Sequence, residues 1–435
     1  MTTNTSNHTT ITLSDDQANA EKAYVAFLTT SVNDPGGRAM IISGYAGTGK
    51  STLVKHLLDN THLYAKTIQL LNPSYSSPRV VLTATTNKAA QALWEATGRA
   101  VFTIHSTLGL RVNTDYRTNT TSLSRSKRSH FLDKEIPPDA LIVIDEASFV
   151  DSALLKEIFQ LLPTQKIVFI GDPAQLTPVK SSGIPPVFKC GFPTVKLTKV
   201  VRQMEGNPII ELASNFRNTV ETGQFFQFKP DNVHIKVLSK EDFNQEILND
   251  FNQPDWNPST SRVLSWTNKT AIHYGALVTE YLTGSYSIKV GDRLNVNSAV
   301  MNGKFRLKTD EIVEVLKVVP DSERGVDGDW VWVADSGGNN SSVFVPHNHT
   351  HRKALEKVLR EAGDFDAIRD IDETWADLRP IYSSTINKAQ GSTYDRVFID
   401  LNDISKCTSG DQLARLMYVA VSRARYQVFL TGDLC

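Results

Sequence analysis

The chain has 435 residues, 40% hydrophobic and 21% charged, with a formal net charge of −1. That suits a globular protein of two to four domains whose cores need no staples. It excludes a globally basic nucleic-acid coat but not a local basic groove. Cys190, Cys407 and Cys435 lie far apart, without CxxC or zinc-site spacing, which fits a reducing compartment. No apolar run reaches the ~20 residues of a membrane span. The Thr/Asn-rich start lacks the basic-then-apolar order of a signal peptide. A cytoplasmic protein is expected.

Residues 1–12 read as a disordered tail. Ser14-Asp15-Asp16-Gln17 is a capping-box pattern ahead of Ala20, Tyr24, Phe27 and Leu28 at helical spacing. After the turn Asp34-Pro35-Gly36-Gly37, strands and helices alternate. Strands are expected at 39–43, 80–83, 141–144 and 166–170, with helices at 50–58, 87–96 and 153–162. The alternation resumes with strands at 263–266, 382–386, 396–400 and 427–431 and helices at 270–282 and 413–421. Apolar strands separated by helices predict parallel sheets covered on both faces. Residues 286–346 differ. Short alternating runs such as Trp330-Val331-Trp332-Val333, broken by glycine turns, predict a small antiparallel barrel. Residues 351–378 read as helical and acidic. The fold class is α/β, two lobes with an insertion in each.

Gly44-Tyr45-Ala46-Gly47-Thr48-Gly49-Lys50-Ser51 fits GxxxxGK[ST] between a strand and a helix. Glycines let backbone N–H groups converge on a phosphate, and the helix N-terminus adds positive potential. Gly44, Ala46, Gly47, Thr48, Gly49, Lys50, Ser51 and Thr52 are therefore expected to hold a nucleotide. Lys50 should reach the β- and γ-phosphates, and Ser51 should ligate Mg²⁺. The strand ending in Asp145-Glu146 supplies carboxylates that point opposite ways. Asp145 is assigned to Mg²⁺ and Glu146 to polarising the attacking water. Together these motifs specify nucleoside triphosphate hydrolysis. Gln175, after the strand that runs into Gly171-Asp172, is a neutral amide placed to sense the γ-phosphate.

The ordered set of motifs resembles superfamily 1 helicases of the branch containing RecD and Dda. It comprises Gly44–Ser51, Leu82–Ala90 (LTATTNKAA), Thr103–Ser106 (TIHS), Val143–Ser148 (VIDEAS), Phe169–Val179 (FIGDPAQLTPV), Leu197–Gln203 (LTKVVRQ), Ser384–Ser392 (STINKAQGS) and Tyr418–Arg425 (YVAVSRAR). The resemblance implies two RecA-like lobes that bind ATP·Mg²⁺ and ratchet single-stranded DNA 5′ to 3′. It makes Arg423 an arginine finger and Arg202 a second γ-phosphate contact. Such a finger is typically worth ~10³–10⁵ in rate. Gln17 has two readings, the adenine contact of the family and the closing residue of the capping box.

A translocase must hold its strand by backbone and shape, which suits hydroxyl and amide donors. Thr83, Thr85 and Asn87 in the first lobe, Thr385 and Asn387 in the second, and His105 are the expected contacts. The family often has His where Asn87 and Asn387 stand. The insertion 110–136 carries six Lys/Arg against three Asp/Glu, a local asymmetry a phosphate contact needs. By resemblance it holds a strand-separating β-hairpin pin, with Phe131 or Tyr116 stacking on a base. Phe131 is the one chosen. The barrel resembles the branch's SH3-like domain. Trp94, Trp266, Trp330 and Trp332 are expected in the core.

The expected boundaries are 13–190 for the first lobe, 191–285 and 380–435 for the second, and 286–379 for the barrel with its helical extension. The resemblance implies a monomer acting in replication, recombination or repair on single strands and duplex junctions, with single-strand-binding or replication proteins as partners. An RNA helicase of the same superfamily and a nucleotide-gated clamp that does not unwind are the rival readings.

Overall fold

The computed structural model describes residues 12–115, 120–125, 136–177, 183–199, 206–302, 305–335 and 337–434. The chain forms two units, one of residues 1–110 and 125–205, the other of residues 111–124 and 206–435.

The first unit is built on β1 (Ala39–Gly44), β2 (Val80–Ala84) and β3 (Val101–Thr103). The hairpin strands β4 (Leu110–Asp115) and β5 (Thr120–Arg125) come next in the chain, and most of their residues group with the second unit. The first unit continues with β6 (Leu141–Asp145), β7 (Lys166–Gly171) and β8 (Thr194–Leu197). Six of these make a parallel sheet in the order β3-β2-β6-β7-β1-β8. All six residues of β1 are buried, as expected where helices cover both faces. The capping box forms as the sequence predicts. Gln17 N–H donates to Ser14 Oγ at 3.3 Å, and Ser14 N–H donates to Gln17 Oε1 at 3.0 Å. The helix Asp15–Thr29 then lays Ala20, Tyr24, Phe27 and Leu28 against Met40, Ile42, Leu53 and Leu57. Lys166 holds the other end of that helix through the carbonyls of Phe27, Leu28 and Thr30.

The second unit contains β9 (Ile235–Leu238), β10 (Ser261–Ser265), β11 (Arg293–Val296), β12 (Val300–Asn302), β13 (Phe305–Leu307), β14 (Ile312–Glu323), β15 (Val326–Ala334), β16 (Asn340–Pro346), β17 (Leu378–Pro380), β18 (Ser383–Thr385), β19 (Tyr394–Asp400) and β20 (Ala424–Thr431). A second parallel sheet runs β18-β10-β19-β20-β9. Its core stacks Phe398 on Phe429, ring centroids 4.6 Å apart, with Phe243 edge-on to Phe398. An antiparallel sheet, β16-β15-β14-β11-β17, fills the region read as a barrel. Its β14–β15 turn takes positive φ at Arg324 (52°) and Gly325 (78°), the backbone that matches the twist of a two-residue hairpin. The helices His349–Ala362 and Phe365–Thr374 follow, and Trp375 packs fully buried on Phe344.

Three expectations need correction. Thr194–Leu197, placed in the second lobe by the boundary at 190, is the edge strand of the first sheet and pairs with β1. Four residues with one buried position give too little periodicity to reveal that partner. Leu378 and Arg379, read within the helical extension, and Pro380, read as the start of the second lobe's last part, form β17 and pair with β11. Trp94 is 49% exposed. Its helix turns Ala89, Ala90, Leu93 and Thr97 inward instead.

Candidate active site

The parallel register brings the ends of β1, β7, β6 and β2 to one edge. Ser43 pairs with Gly171, Ile144 with Phe169, and Ala84 with Asp145. The phosphate loop, the two acids and the Gln175 turn therefore leave the carboxyl edge together, where open α/β sheets bind ligands.

The loop has the backbone its glycines allow. Gly47 and Gly49 take φ of 82° and 77°, which side-chain-bearing residues adopt at a cost. Gly44 is needed for space, because a Cβ there would lie 2.7 Å from Thr48 Oγ1. Thr48 is buried and donates its hydroxyl to the Tyr45 carbonyl at 2.8 Å. Lys50 folds over the loop and donates to the carbonyls of Gly44 and Tyr45 at 2.7 and 3.0 Å. Ser51 and Thr52 are exposed on the first turn of the helix Lys50–Asp59.

Asp145 accepts the Glu146 N–H at 2.9 Å. Burial pushes its carboxyl above the usual range, against the pull of the Glu146 amide and the Lys50 ammonium. Glu146 sits in the left-handed region, φ 52°, at the head of the short helix Ala147–Phe149. That conformation is uncommon for a side-chain-bearing residue and turns the second acid away from the strand. The β7 turn packs against this one, since a Cβ on Gly171 would meet Ala147 N at 3.0 Å and Ser148 N at 3.3 Å. Asp172 is fully buried and accepts the Ala174 N–H at 2.9 Å, and Gln175 follows, 3% exposed.

The expected strand contacts separate into two groups. Thr83 is fully buried, and its hydroxyl donates to the Val143 carbonyl at 2.8 Å. It belongs to the core and not to a binding surface, a correction: the alternation that exposes one face of a half-buried strand fails where helices cover both. Thr85 donates its hydroxyl to the Glu146 carbonyl at 3.0 Å, and its N–H to the Asp145 carbonyl at 3.2 Å. Thr85 therefore ties the β2 edge to the acidic turn. Thr86, not Asn87, caps the next helix by accepting the Ala89 N–H at 3.1 Å. Asn87 is left exposed in the first turn. His105 follows the cap Thr103 on a short helix. Burial lowers its imidazole pKa, against the pull of Asp151, so near neutral pH it is an uncharged hydrogen-bonding group.

In the second unit, Thr385 is buried at the end of β18 and Asn387 is exposed two residues on. Arg423 follows the helix Gly410–Val421. Its guanidinium donates to the Val419 carbonyl at 3.1 Å, the Ser392 carbonyl at 3.2 Å and Ser422 Oγ at 2.9 Å. Ser392 closes STINKAQGS, so Arg423 links that motif to its own. Arg202, Phe131 and Tyr116 lie outside the described residues. The hairpin of β4 and β5 occupies the start of the basic insertion.

Gln17 closes the capping box and also lies beside the phosphate loop. Its Oε1 completes the capping box, and its Nε2 lies 3.3 Å from the Thr48 carbonyl and 3.4 Å from the Gly49 carbonyl. Asp16 escaped the sequence reading. One of its carboxylate oxygens accepts from Thr198 N, Thr198 Oγ1 and Lys199 N. Its only signal was membership of the capping sequence.

Residues 13–239 match the AAA domain family, and residues 380–431 match the UvrD-like helicase C-terminal domain. This chain belongs to the AAA-domain family. Within it, by the two matches and the relatives, the chain is similar to superfamily 1 helicases of the RecD/Dda type. The chain is 34% identical over 180 residues to the ATP-dependent RecD2 DNA helicase of Deinococcus radiodurans, covering 41% of this chain and 21% of that one. It spans about a fifth of RecD2. It is 25% identical over 437 residues to the ATP-dependent DNA helicase dda of Enterobacteria phage T4, covering 89% of this chain and 93% of that one. The fold is similar to a Pif1 helicase from Bacteroides solved with ADP-AlF3 and ssDNA, with a TM-score of 0.52, 16% identity, and 98% and 93% of the two chains covered. Among the described residues of this AAA-domain chain, no helix is long and apolar enough to cross a membrane.

Proposed function

We propose that this chain is an ATP-dependent helicase that moves 5′ to 3′ along single-stranded DNA and opens duplex junctions. The observation that carries the reading is the single sheet edge where the phosphate loop, the Asp145-Glu146 turn and the Gly171 turn leave together, with the Gly171 turn packed on the acidic one. That is the apparatus of triphosphate hydrolysis. The motifs STINKAQGS and YVAVSRAR in the second unit are what turn hydrolysis into motion. RecD2 and Dda, the named relatives, are DNA helicases.

ATP would lie on the loop 44–52, with Lys50 on its outer phosphates and Gln175 sensing the γ-phosphate. Glu146 is the general base for the attacking water. Arg423 and Arg202 supply positive charge to a loose transition state. Ser51 and Asp145 fit Mg²⁺, because both offer hard oxygen donors at the carboxyl edge of the sheet, one beside the phosphate loop and one at the end of β6. When bound, the ion neutralises phosphate charge. Thr85, Asn87, His105, Thr385 and Asn387 serve the strand. The hairpin of β4 and β5 serves as the pin, and the antiparallel sheet is an SH3-like domain. The first lobe runs to the end of β8.

The test is strand displacement with ATP and Mg²⁺ on duplexes with a 5′ or a 3′ single-stranded tail. Unwinding of the 5′-tailed substrate alone is expected. Unwinding of the 3′-tailed one alone overturns the direction. Preference for RNA tracks favours an RNA helicase. Strand-stimulated ATPase without unwinding favours a clamp or a partner-dependent translocase.

A further inference from the structure

Glu146 takes φ of 52°, the left-handed region, which costs a side-chain-bearing residue unless its surroundings hold it. Peptides are planar, so fixing the two on either side of a Cα fixes the direction in which its side chain leaves. Thr85 bonds both of the peptides that flank Glu146. Its N–H donates to the Asp145 carbonyl at 3.2 Å, in the peptide before. Its hydroxyl donates to the Glu146 carbonyl at 3.0 Å, in the peptide after. The Glu146 carbonyl also accepts the Phe149 N–H at 3.1 Å, and the Glu146 N–H donates to Asp145 Oδ1 at 2.9 Å, but those bonds stay within the acidic turn. Thr85 ties the turn to the end of β2.

The neighbours of Thr85 along the chain give that tie a use. Thr83 and Ala84 are fully buried, and Ala84 pairs with Asp145 and Thr103, so the chain before Thr85 is fixed in the sheet. Directly after it, Thr86 caps the helix Asn87–Thr97, and Asn87 is exposed on the first turn. A shift of that helix start reaches Glu146 through Thr85. A hydroxyl and an N–H carry one proton each, and both of Thr85's are spent on the acidic turn. A nucleic-acid phosphate at this helix start finds Asn87, not a Thr85 donor.

We propose that Thr85 is a positioning residue that aims Glu146 and relays to it the presence of a strand on Asn87, so that the strand accelerates hydrolysis through Thr85. This rests on the reading of Glu146 as general base and of Asn87 as a strand contact. Thr85 then serves the strand through Glu146 and without touching it. Misplacing a general base costs rate and leaves nucleotide affinity alone, because the phosphates are held by the loop 44–52.

The experiment compares the full chain with three variants. Thr85→Val keeps the shape and removes the hydroxyl, Thr85→Ser keeps the hydroxyl, and Thr85→Ala carries the Val prediction should the Val variant fail to fold. ATPase kinetics with Mg²⁺ are measured without strand and with saturating oligo-dT, beside equilibrium binding of fluorescent oligo-dT, with thermal melting as the check on folding. Thr85→Val should lower the strand-stimulated kcat by about tenfold and cut the ratio of stimulated to strand-free rate by about threefold or more. KM for ATP and Kd for oligo-dT should stay within about twofold. Thr85→Ser should recover most of the loss. An unchanged ratio in the folded variant, including an equal fall with and without strand, overturns the relay. Weaker oligo-dT binding makes Thr85 a strand contact and overturns it too. A wild-type chain whose ATPase oligo-dT does not stimulate fails the helicase reading itself, and the relay with it.

Discussion

At the scale of single residues, the candidate site separates groups proposed to act on nucleotide from groups that hold them in place. Lys50 is held by two loop carbonyls, and a phosphate competes for the same ammonium. Lys50→Ala should cut ATP turnover by at least about a hundredfold while the melting temperature stays within a few degrees. Near-normal turnover would remove Lys50 from the site. Glu146→Gln should lower kcat by about 10²–10⁴ and leave nucleotide binding intact. Steady-state kinetics beside equilibrium binding decides this. Arg423 does two things at once. Its guanidinium donates to the carbonyls of Val419 and Ser392, and Val419 also accepts from the Ser422 hydroxyl, so truncation to Ala removes the Arg423 donor from the half-buried Ser392 carbonyl. Arg423→Ala should therefore cost about 1–3 kcal/mol of stability as well as turnover. If denaturant melts show no change, the observed contacts do not stabilise the chain. If turnover survives, the finger is elsewhere.

At the scale of elements, the second parallel sheet turns on one buried carboxylate. Asp403 accepts the N–H groups of Trp266 and Thr267 at 2.8 and 2.9 Å, the hydroxyls of Thr267 and Thr270 at 2.7 Å, and Lys406 Nζ at 3.0 Å. It anchors the N-terminus of the helix Asn268–Thr283, whose own cap is Thr267. Burial works against the charge, but these donors outweigh it and hold the carboxyl below its ordinary value. Because the folded pKa is depressed, the stabilisation is present above the ordinary carboxylate pKa. It is lost as pH falls through the folded value. Asp403→Ala should cost roughly 2–4 kcal/mol at neutral pH. The gap between wild type and variant should narrow in strong acid, and denaturant titrations at the two pH values check both. Phe398, fully buried between Phe243 and Phe429, tests the packing of the same sheet. Phe398→Ala should destabilise by about 3–5 kcal/mol.

At the scale of the molecule, a net charge of −1 leaves little general attraction for nucleic acid. The proposed contacts are mostly hydroxyls and amides, which neutralise no phosphates. Binding to single-stranded DNA should therefore depend weakly on salt. A log–log slope shallower than about −3 is expected, since each neutralised phosphate of a single strand contributes about −0.7. Fluorescence titration across a salt series measures it. A much steeper slope would move the interface onto Lys and Arg clusters such as the basic insertion.

The α/β class, both alternating regions and the hydrolytic motifs were legible in the sequence because each is a local signal. A phosphate loop is contiguous, a buried strand has a characteristic run of apolar residues, and the capping box spans four positions. The residues of β1 and the helix Asp15–Thr29 form what their spacing predicts. Short elements were not legible. β8 and β17 have too few residues for periodicity and are strands only because β1 and β11 lie beside them. Nor was the use of each side chain. Thr83 and Asn87 read alike as polar residues at a strand end, but Thr83 is enclosed by the sheet's covered faces and Asn87 is open. Asp16 and Gln17 read as a local cap, and only folding brings Thr198 and the Thr48 and Gly49 carbonyls to them. Sequence by itself determined where the candidate site lies, because its motifs are short and contiguous. Tertiary structure decided which polar groups remain available to a ligand, because burial and hydrogen-bond partners come from residues distant in sequence, 31 positions away for Gln17 and Thr48, 60 for Thr83 and Val143 and 182 for Asp16 and Thr198.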